Sequence, residues 1–219
     1  MGAAVAALVV LVVLPIASLI LGSLLSNGGV SFDYFGEVLS GRLYLSALRN
    51  SLVLGAWTGL FSLLIGVLMA FAVARTDVPG KRLLQLTASL SYLSPPFLTA
   101  IAFVYLFSPN AGLVNVLMRD VLGLPWLTFN IFSMTGLVLV TVLHTFPYVY
   151  LLASSALESV DASYEEAAQI LGASKFRTAV SITAPLVAPA ILSGTLLAFV
   201  NAIALFGSQA IIGLPGRIV

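Results

Sequence analysis

Charge is what this chain has least of. Of 219 residues only 9 are Lys or Arg and 8 are Asp or Glu, so 8% are charged against 60% apolar. Soluble domains carry about 25% charged residues, which excludes an ordinary globular reading. Cysteine is absent, which removes disulfides, thiolate chemistry and Cys-based metal sites. A single histidine cannot build a His-rich metal cage. The net charge of +1 gives no case for nucleic acid. No G-x-x-x-x-G-K-[ST] segment is present, so no loop of this chain cradles nucleotide phosphates.

What is there is long apolar sequence. Charge-free runs cover Met1–Phe32, Asn50–Ala74, Leu83–Met118, Val121–Leu157 and Thr178–Gly216. Each exceeds the roughly 20 residues that cross a ~30 Å hydrocarbon core. Lipid cannot satisfy free backbone groups, so the spans are helices, and the runs lack the alternation of barrel strands. The expected fold is all-α, a polytopic bundle with spans near Ala3–Leu25, Ser51–Ala74, Leu83–Phe107, Ile131–Leu157 and Leu186–Gly207. The N-terminal run lacks a basic cluster and is longer than a signal-peptide core, so it reads as a retained span. Between it and the next, Ser26–Asn50 suits a loop plus a helix at the membrane surface. A short amphipathic helix is expected around Val114–Leu122.

Arg75, Lys81 and Arg82 place the loop between spans two and three in the cytoplasm by the positive-inside rule. The N-terminus and the Glu158–Pro185 segment then share that side, which adds Lys175 and Arg177. Pro95-Pro96 and Pro147 fall within apolar segments and bend them, read as packing kinks before gating hinges.

Glu158–Pro185 holds six of the 17 charges and carries helix signals of its own. Asp161 or Ser163 can cap a helix, and Ser163 with Glu166 forms an S-x-x-E capping box. Glu165 and Glu166 suit the first turn, Gly172 suits a left-handed stop, and Ser174 can cap a second helix bearing Lys175, Phe176 and Arg177. Pro185 suits the start of the next span. The result is a helix–Gly–helix elbow with the small residues Ala167 and Ala168, an aromatic anchor at Phe176 and charge at its rim. That is either a docking element or an amphipathic loop resting on headgroups.

Glu166-Ala167-Ala168, Gly172, Ile182 and Pro185 at these spacings resemble the E-A-A-x3-G-x9-I-x-L-P loop of ABC importer permeases. These are the inner-membrane components of type I, binding-protein-dependent importers. Ala184 stands where the family has Leu. Asn50-Ser51-Leu52, Gly66–Ala70, the run from Arg75 to Gly80, Ser94-Pro95-Pro96, Gly112–Asn115 and Thr145-Phe146-Pro147 resemble the family's core in order. Phe206-Gly207 and Ile211–Gly216 are most similar to its ferric-iron, polyamine, thiamine and phosphonate group.

The resemblance implies a permease subunit that forms the solute path and is not itself an enzyme. Its cargo would be ferric iron or another small solute. The ATPase-coupling residues would be Glu165, Glu166, Ala167, Ala168, Gly172, Ser174, Lys175, Phe176, Arg177, Ile182 and Pro185. No cofactor or metal would be bound by this chain; ATP and Mg would belong to a cytoplasmic ABC ATPase dimer. The other implied partners are an extracytoplasmic solute-binding protein and a second permease module, a copy or a homologous half. The location would be the bacterial inner membrane. Residues 1–50 would form the first span with its outer loop, and residues 51–219 the core module, which stops short of the family's further helix.

Candidate pathway or gate residues are Pro95, Pro96, His144, Asn201, Phe206, Ser208 and Gln209. His144 is the lone ionisable group deep in a span, read as neutral and bonded to a neighbouring helix; Asn201 reads as helix–helix glue. The rival functions are an ion-coupled secondary transporter and a non-transporting assembly subunit. The absence of Asp and Glu from the spans argues against ion coupling.

Overall fold

The computed structural model describes residues 2, 9–26 and 29–218 and is a bundle of helices. Two compact units divide at Arg49 and Asn50. In the first, α1 (Val9–Leu24) is an apolar helix of 16 residues. The remainder of the expected first span, residues 3–8, lies outside the described residues. A two-residue antiparallel pairing of Leu25–Ser26 with Gly29–Val30 follows. The helix expected at the membrane surface is α2 (Asp33–Ser40).

The next helix, α3 (Arg42–Arg75), is 34 residues long and begins nine residues before the span expected from Ser51. Its early start has a simple cause: from Gly41 onward no proline or glycine interrupts the chain until Gly55.

The expected third span is not one helix. It is α4 (Lys81–Leu93) and α5 (Pro96–Phe107), which meet at 105°. A residue before proline is driven out of the helical region, and Ser94-Pro95-Pro96 applies that restriction twice in a row. Ser94 and Pro95 accordingly take ψ of 128° and 130°. Pro96 then sits at the start of α5, where its missing N–H is harmless. Pro147 behaves differently, lying inside the unbroken α7 (Met134–Ser159).

Between α5 and α7, α6 (Leu113–Val116) continues through a wide turn over Leu117–Val121. The loops around it are tied by Asn115, which is buried. Its Nδ2 donates to Ser108 O at 2.9 Å and Phe129 O at 2.7 Å, and its Oδ1 accepts from Phe129 N at 2.8 Å. Asn115→Ala is expected to lose these bonds and about 3 kcal/mol of stability, at roughly 1 kcal/mol each. Thermal unfolding in detergent checks it, and an unchanged midpoint would refute the bracing role.

α7 is the central helix: 67% of its apolar window is buried, against 33% in α3 and 22% in α9 (Lys175–Ala204). Ser133 caps it by accepting from Gly136 N at 3.1 Å. Glycines bring two neighbours onto its flanks. A Cβ on Gly66 of α3 would lie 2.7 Å from Val149 Cβ, and one on Gly194 of α9 would lie 2.8 Å from Val149 Cα. Small residues at such crossings are how helices associate where hydrophobicity gives no net drive. The Ser62 and Thr145 hydroxyls pair at 2.9 Å across the α3–α7 contact.

Two apolar clusters result. One gathers Leu54, Ala100, Leu137, Val140 and Ile212; the other gathers Ala70, Val73, Ala88, Phe146, Tyr150 and Val187. The last element, α10 (Phe206–Ser208), runs on through a wide turn over Gln209–Gly213.

Candidate coupling elbow and solute path

The elbow predicted between the last two spans forms. Its first arm is α8 (Ala162–Ile170). Asp161 is the cap: its carboxylate accepts from Ser163 N at 2.9 Å. The capping box expected of Ser163 and Glu166 is therefore not made, because the helix starts one residue before Ser163. Asp161 wins because its side chain reaches the free N–H two positions on.

That N–H, with the Ser163 hydroxyl, holds the Asp161 carboxyl below its usual range. A carboxyl whose folded pKa is lowered adds stability above its unfolded value, about 3.9, and loses it as pH falls through the folded value. The start of α8 is expected to stay ordered at neutral pH and fray below about pH 4. Asp161→Asn keeps a cap and removes the titration. Spin-label mobility at Ala162→Cys, in a chain with no other cysteine, reads this and leaves both Ser163 donors in place. An identical acid response in both proteins would refute it.

Gly172 ends α8 with φ of 86°, and nothing lies within 4 Å of where a Cβ would stand. Gly172 N donates to Gln169 O at 2.9 Å and Ala173 N to Ala168 O at 3.0 Å, the paired bonds of a left-handed helix stop. Ser174 caps the second arm, accepting from Arg177 N at 3.3 Å. This arm is not a separate short helix but the first turns of α9, which runs from Lys175 into the span. A wide turn at Ala179–Thr183 joins the two parts. Ala184 N bonds Ala179 O there, and Pro185 follows in the first turn of the α-helical stretch Ala184–Ala204, the place expected of it at the start of the span. Such wide turns absorb a missing N–H without breaking the helix.

The elbow sorts its residues between inside and outside. Ala168 is buried and Ile182 half-buried; Glu166, Ala167, Lys175, Phe176, Arg177 and Pro185 are exposed. Glu166 makes no ion pair or side-chain hydrogen bond among the described residues. The same segment exposes apolar side chains: Tyr164 at 59%, Ile170 at 86%, Leu171 at 87% and Phe176 at 79%. Sequence reasoning named Phe176 alone. The signal for the others was an apolar pair placed directly before a helix-ending glycine.

Glu165 points the other way. Its Oε1 lies 3.1 Å from Arg75 Nε and accepts from Thr183 Oγ1 at 2.8 Å. Arg75 Nη2 donates to Leu157 O at 2.8 Å and Val160 O at 3.1 Å. Arg75, read from sequence only as an inside-facing charge that opens a family-like run, and Thr183, not named there, both belong to this site. A polar cleft of about 620 Å³ opens beside them, reaching Asp77, Glu166, Gln169 and Lys175.

Part of the candidate path comes together where Phe206–Ser208 packs on the start of α5: a Cβ on Gly207 would lie 3.2 Å from Phe97 Cβ. Pro95 and Pro96 make the α4–α5 corner. His144 is half-buried, and its Nδ1 has no hydrogen-bond partner among the described residues. Asn201 Nδ2 bonds Leu197 O of its own helix at 3.0 Å rather than joining two helices. Gln209 Nε2 donates to Ala202 O at 2.8 Å, holding a carbonyl that the end of α9 leaves free. Ser208 is buried with its hydroxyl unpartnered, and Phe206 is 78% exposed. No cluster of three or more His, Cys, Asp or Glu that could hold a metal ion occurs among the described residues.

This bundle is shared with a solved bacterial ABC transporter involved in import of the acidic polysaccharide alginate. The TM-score is 0.80 at 17% identity, over 98% of this chain and 76% of that one. The same fold recurs at a TM-score of 0.77 and 18% identity in the alginate transporter in complex with its alginate pentasaccharide-bound periplasmic protein, over 98% of this chain and 75% of that one. The fold is that of an ABC importer permease.

The chain belongs to the binding-protein-dependent transport system inner membrane components, whose pattern matches residues 62–218. It is 34% identical over 174 residues to the molybdenum transport system permease ModB of Escherichia coli K12, covering 78% of this chain and 73% of the relative. It is 29% identical over 205 residues to the molybdate/tungstate permease WtpB of Pyrococcus abyssi, covering 94% and 73%. It is also 29% identical over 190 residues to the sulfate permease CysW of Synechococcus elongatus, covering 84% and 64%.

Proposed function

We propose that this permease subunit moves a small tetrahedral oxyanion into the cytoplasm, driven by a separate ATPase that docks on the elbow at 161–177. The observation that carries the docking is the pairing of an unpartnered Glu166 with the exposed Ile170, Leu171 and Phe176 on a rigid, doubly capped corner. Apolar anchors ringed by charge are what a partner cleft recognises. ATP and Mg bind in that partner, because this chain has no phosphate-binding loop. An extracytoplasmic solute-binding protein and a second permease module complete the importer. The positive-inside rule puts the elbow and the N-terminus in the cytoplasm. The core module is taken as residues 51–219, preceded by a first span and its outer loop.

Two considerations favour an oxyanion over ferric iron. The relatives named above carry molybdenum, molybdate or tungstate, and sulfate in their names. The spans also hold no Asp or Glu, and a trivalent cation would cross lipid depth with no carboxylate to replace its water. The test is uptake into proteoliposomes holding the full importer, with molybdate, sulfate and ferric ion compared. ATP-dependent uptake of an oxyanion is expected. Uptake of iron alone would overturn the cargo, and uptake without ATP would overturn the ATPase drive.

A further inference from the structure

Arg75 is the last residue of α3, and Glu165 sits in the first turn of α8, ninety positions later. Both side chains are mostly shielded, at 17% and 23% exposure. The guanidinium uses two separate nitrogens. Nε lies 3.1 Å from Glu165 Oε1 in an ion-pair contact that is not a hydrogen bond, while Nη2 donates to Leu157 O and Val160 O at the end of α7. The same Glu165 oxygen accepts from Thr183 Oγ1, in the wide turn of α9, at 2.8 Å. Four segments therefore converge on one ion pair: the ends of α3 and α7, the start of α8 and the turn of α9.

A lysine has one nitrogen and cannot span such a set, whereas the planar fork of arginine can. A shielded pair of this kind also resists being half-broken, because removing one partner strands the other.

We propose that Arg75 and Glu165 are positioning residues for coupling, a clasp that makes α8 move as one body with α3 and α7. The proposal rests on the reading of the elbow as the ATPase dock, and it assigns adjacent glutamates opposite tasks. Glu166 faces the partner; Glu165 faces inward and carries the partner's displacement into the spans. A tether of one loop to one helix would steady the elbow without this consequence. Here the displaced helix pulls on two spans and on the turn of a third.

The chain lacks cysteine, so two labels report the link directly. Spin labels at Leu68→Cys on α3 and Ser163→Cys on α8 are placed in the whole importer, in nanodiscs with a cysteine-free ATPase. Their separation is measured by pulsed electron resonance without nucleotide and with ATP trapped by vanadate. With the clasp intact the separation is expected to be the same in both states. In Arg75→Ala and in Glu165→Gln it is expected to differ between states, and the double variant to show no more than either single one.

Glu165→Gln keeps both Arg75–carbonyl bonds, so it carries the test if Arg75→Ala does not accumulate. An unchanged separation in the variants, or effects that add, would overturn the clasp. So would a separation that already changes with nucleotide in the parent chain while the ATPase is bound. Failure of the ATPase to co-purify with the parent chain would instead overturn the docking reading beneath it.

Discussion

Replacing Gly66 by valine is expected to leave little folded protein. The first carbon added to that residue would stand 2.7 Å from Val149 Cβ and 2.9 Å from Tyr150 N. The second contact is backbone of α7, which cannot swing aside as a flexible side chain would. Overpacking a tight site costs about 1–3 kcal/mol even where side chains adjust. Here the alternative is to push α3 off the central helix, which also separates the Ser62 and Thr145 hydroxyls. A loss of about 3 kcal/mol or more is expected, a large share of the 5–15 kcal/mol that holds a typical domain.

Gly194→Val should act alike from the opposite flank, since its added carbon meets Val149 Cα at 2.8 Å. Gly59 supplies the control. A carbon there finds its nearest neighbour, Phe199 Cβ, at 3.6 Å, an ordinary contact, so Gly59→Ala should be tolerated. Yield of monodisperse protein and its melting temperature in detergent decide the matter. Equal behaviour of Gly66→Val and Gly59→Ala would show that close α3–α7 approach is not required.

Gly172→Pro is expected to leave the bundle inserted and folded while transport collapses. Proline holds φ near −65°, and Gly172 sits at +86°, so the elbow cannot keep its angle. Proline also removes the N–H that Gly172 gives to Gln169 O. The corner lies outside both apolar clusters, so the bundle's own packing is untouched. Strain of this kind costs about 1–3 kcal/mol, and each 1.4 kcal/mol is a factor of ten, so uptake should fall by about tenfold or more. Gly172→Ala should be milder, since alanine enters the left-handed region at about 1–2 kcal/mol. ATP-driven uptake, measured beside the amount of ATPase bound, checks both. Normal uptake by the proline variant would sink the coupling role of the elbow.

The elbow was legible in the sequence because its causes are local. A carboxylate two residues before a free N–H, a glycine after the last helical turn and a serine three residues before Arg177 specify caps wherever the chain lies. The Pro95-Pro96 bend was legible for the same reason. Its 105° angle was not, because proline fixes only the residues beside it, while packing on α7 sets where each arm goes. Arg75 read as an inside-facing loop charge, since its partners are 82 to 90 positions away and no periodicity links them. Asn115 matched the family pattern, but its role in joining two loops needs the fold to bring Ser108 and Phe129 to it. Ile170 and Leu171 were passed over because apolar side chains read as core, and these two face outward.

The α4–α5 corner bears on how force passes through the molecule. A straight helix is a strut; a helix cut by two extended residues transmits almost no thrust along its length. Load entering at the elbow therefore cannot be relayed by the segment at 81–107. The described helices that contribute to both apolar clusters without interruption are α3, through Leu54 and Ala70, and α7, through Val140 and Tyr150. On the proposed docking of an ATPase at the elbow, those two helices are the unbroken routes for a displacement from one cluster to the other. The bent pair, interrupted at Ser94 and Pro95, offers no continuous helix between the two clusters.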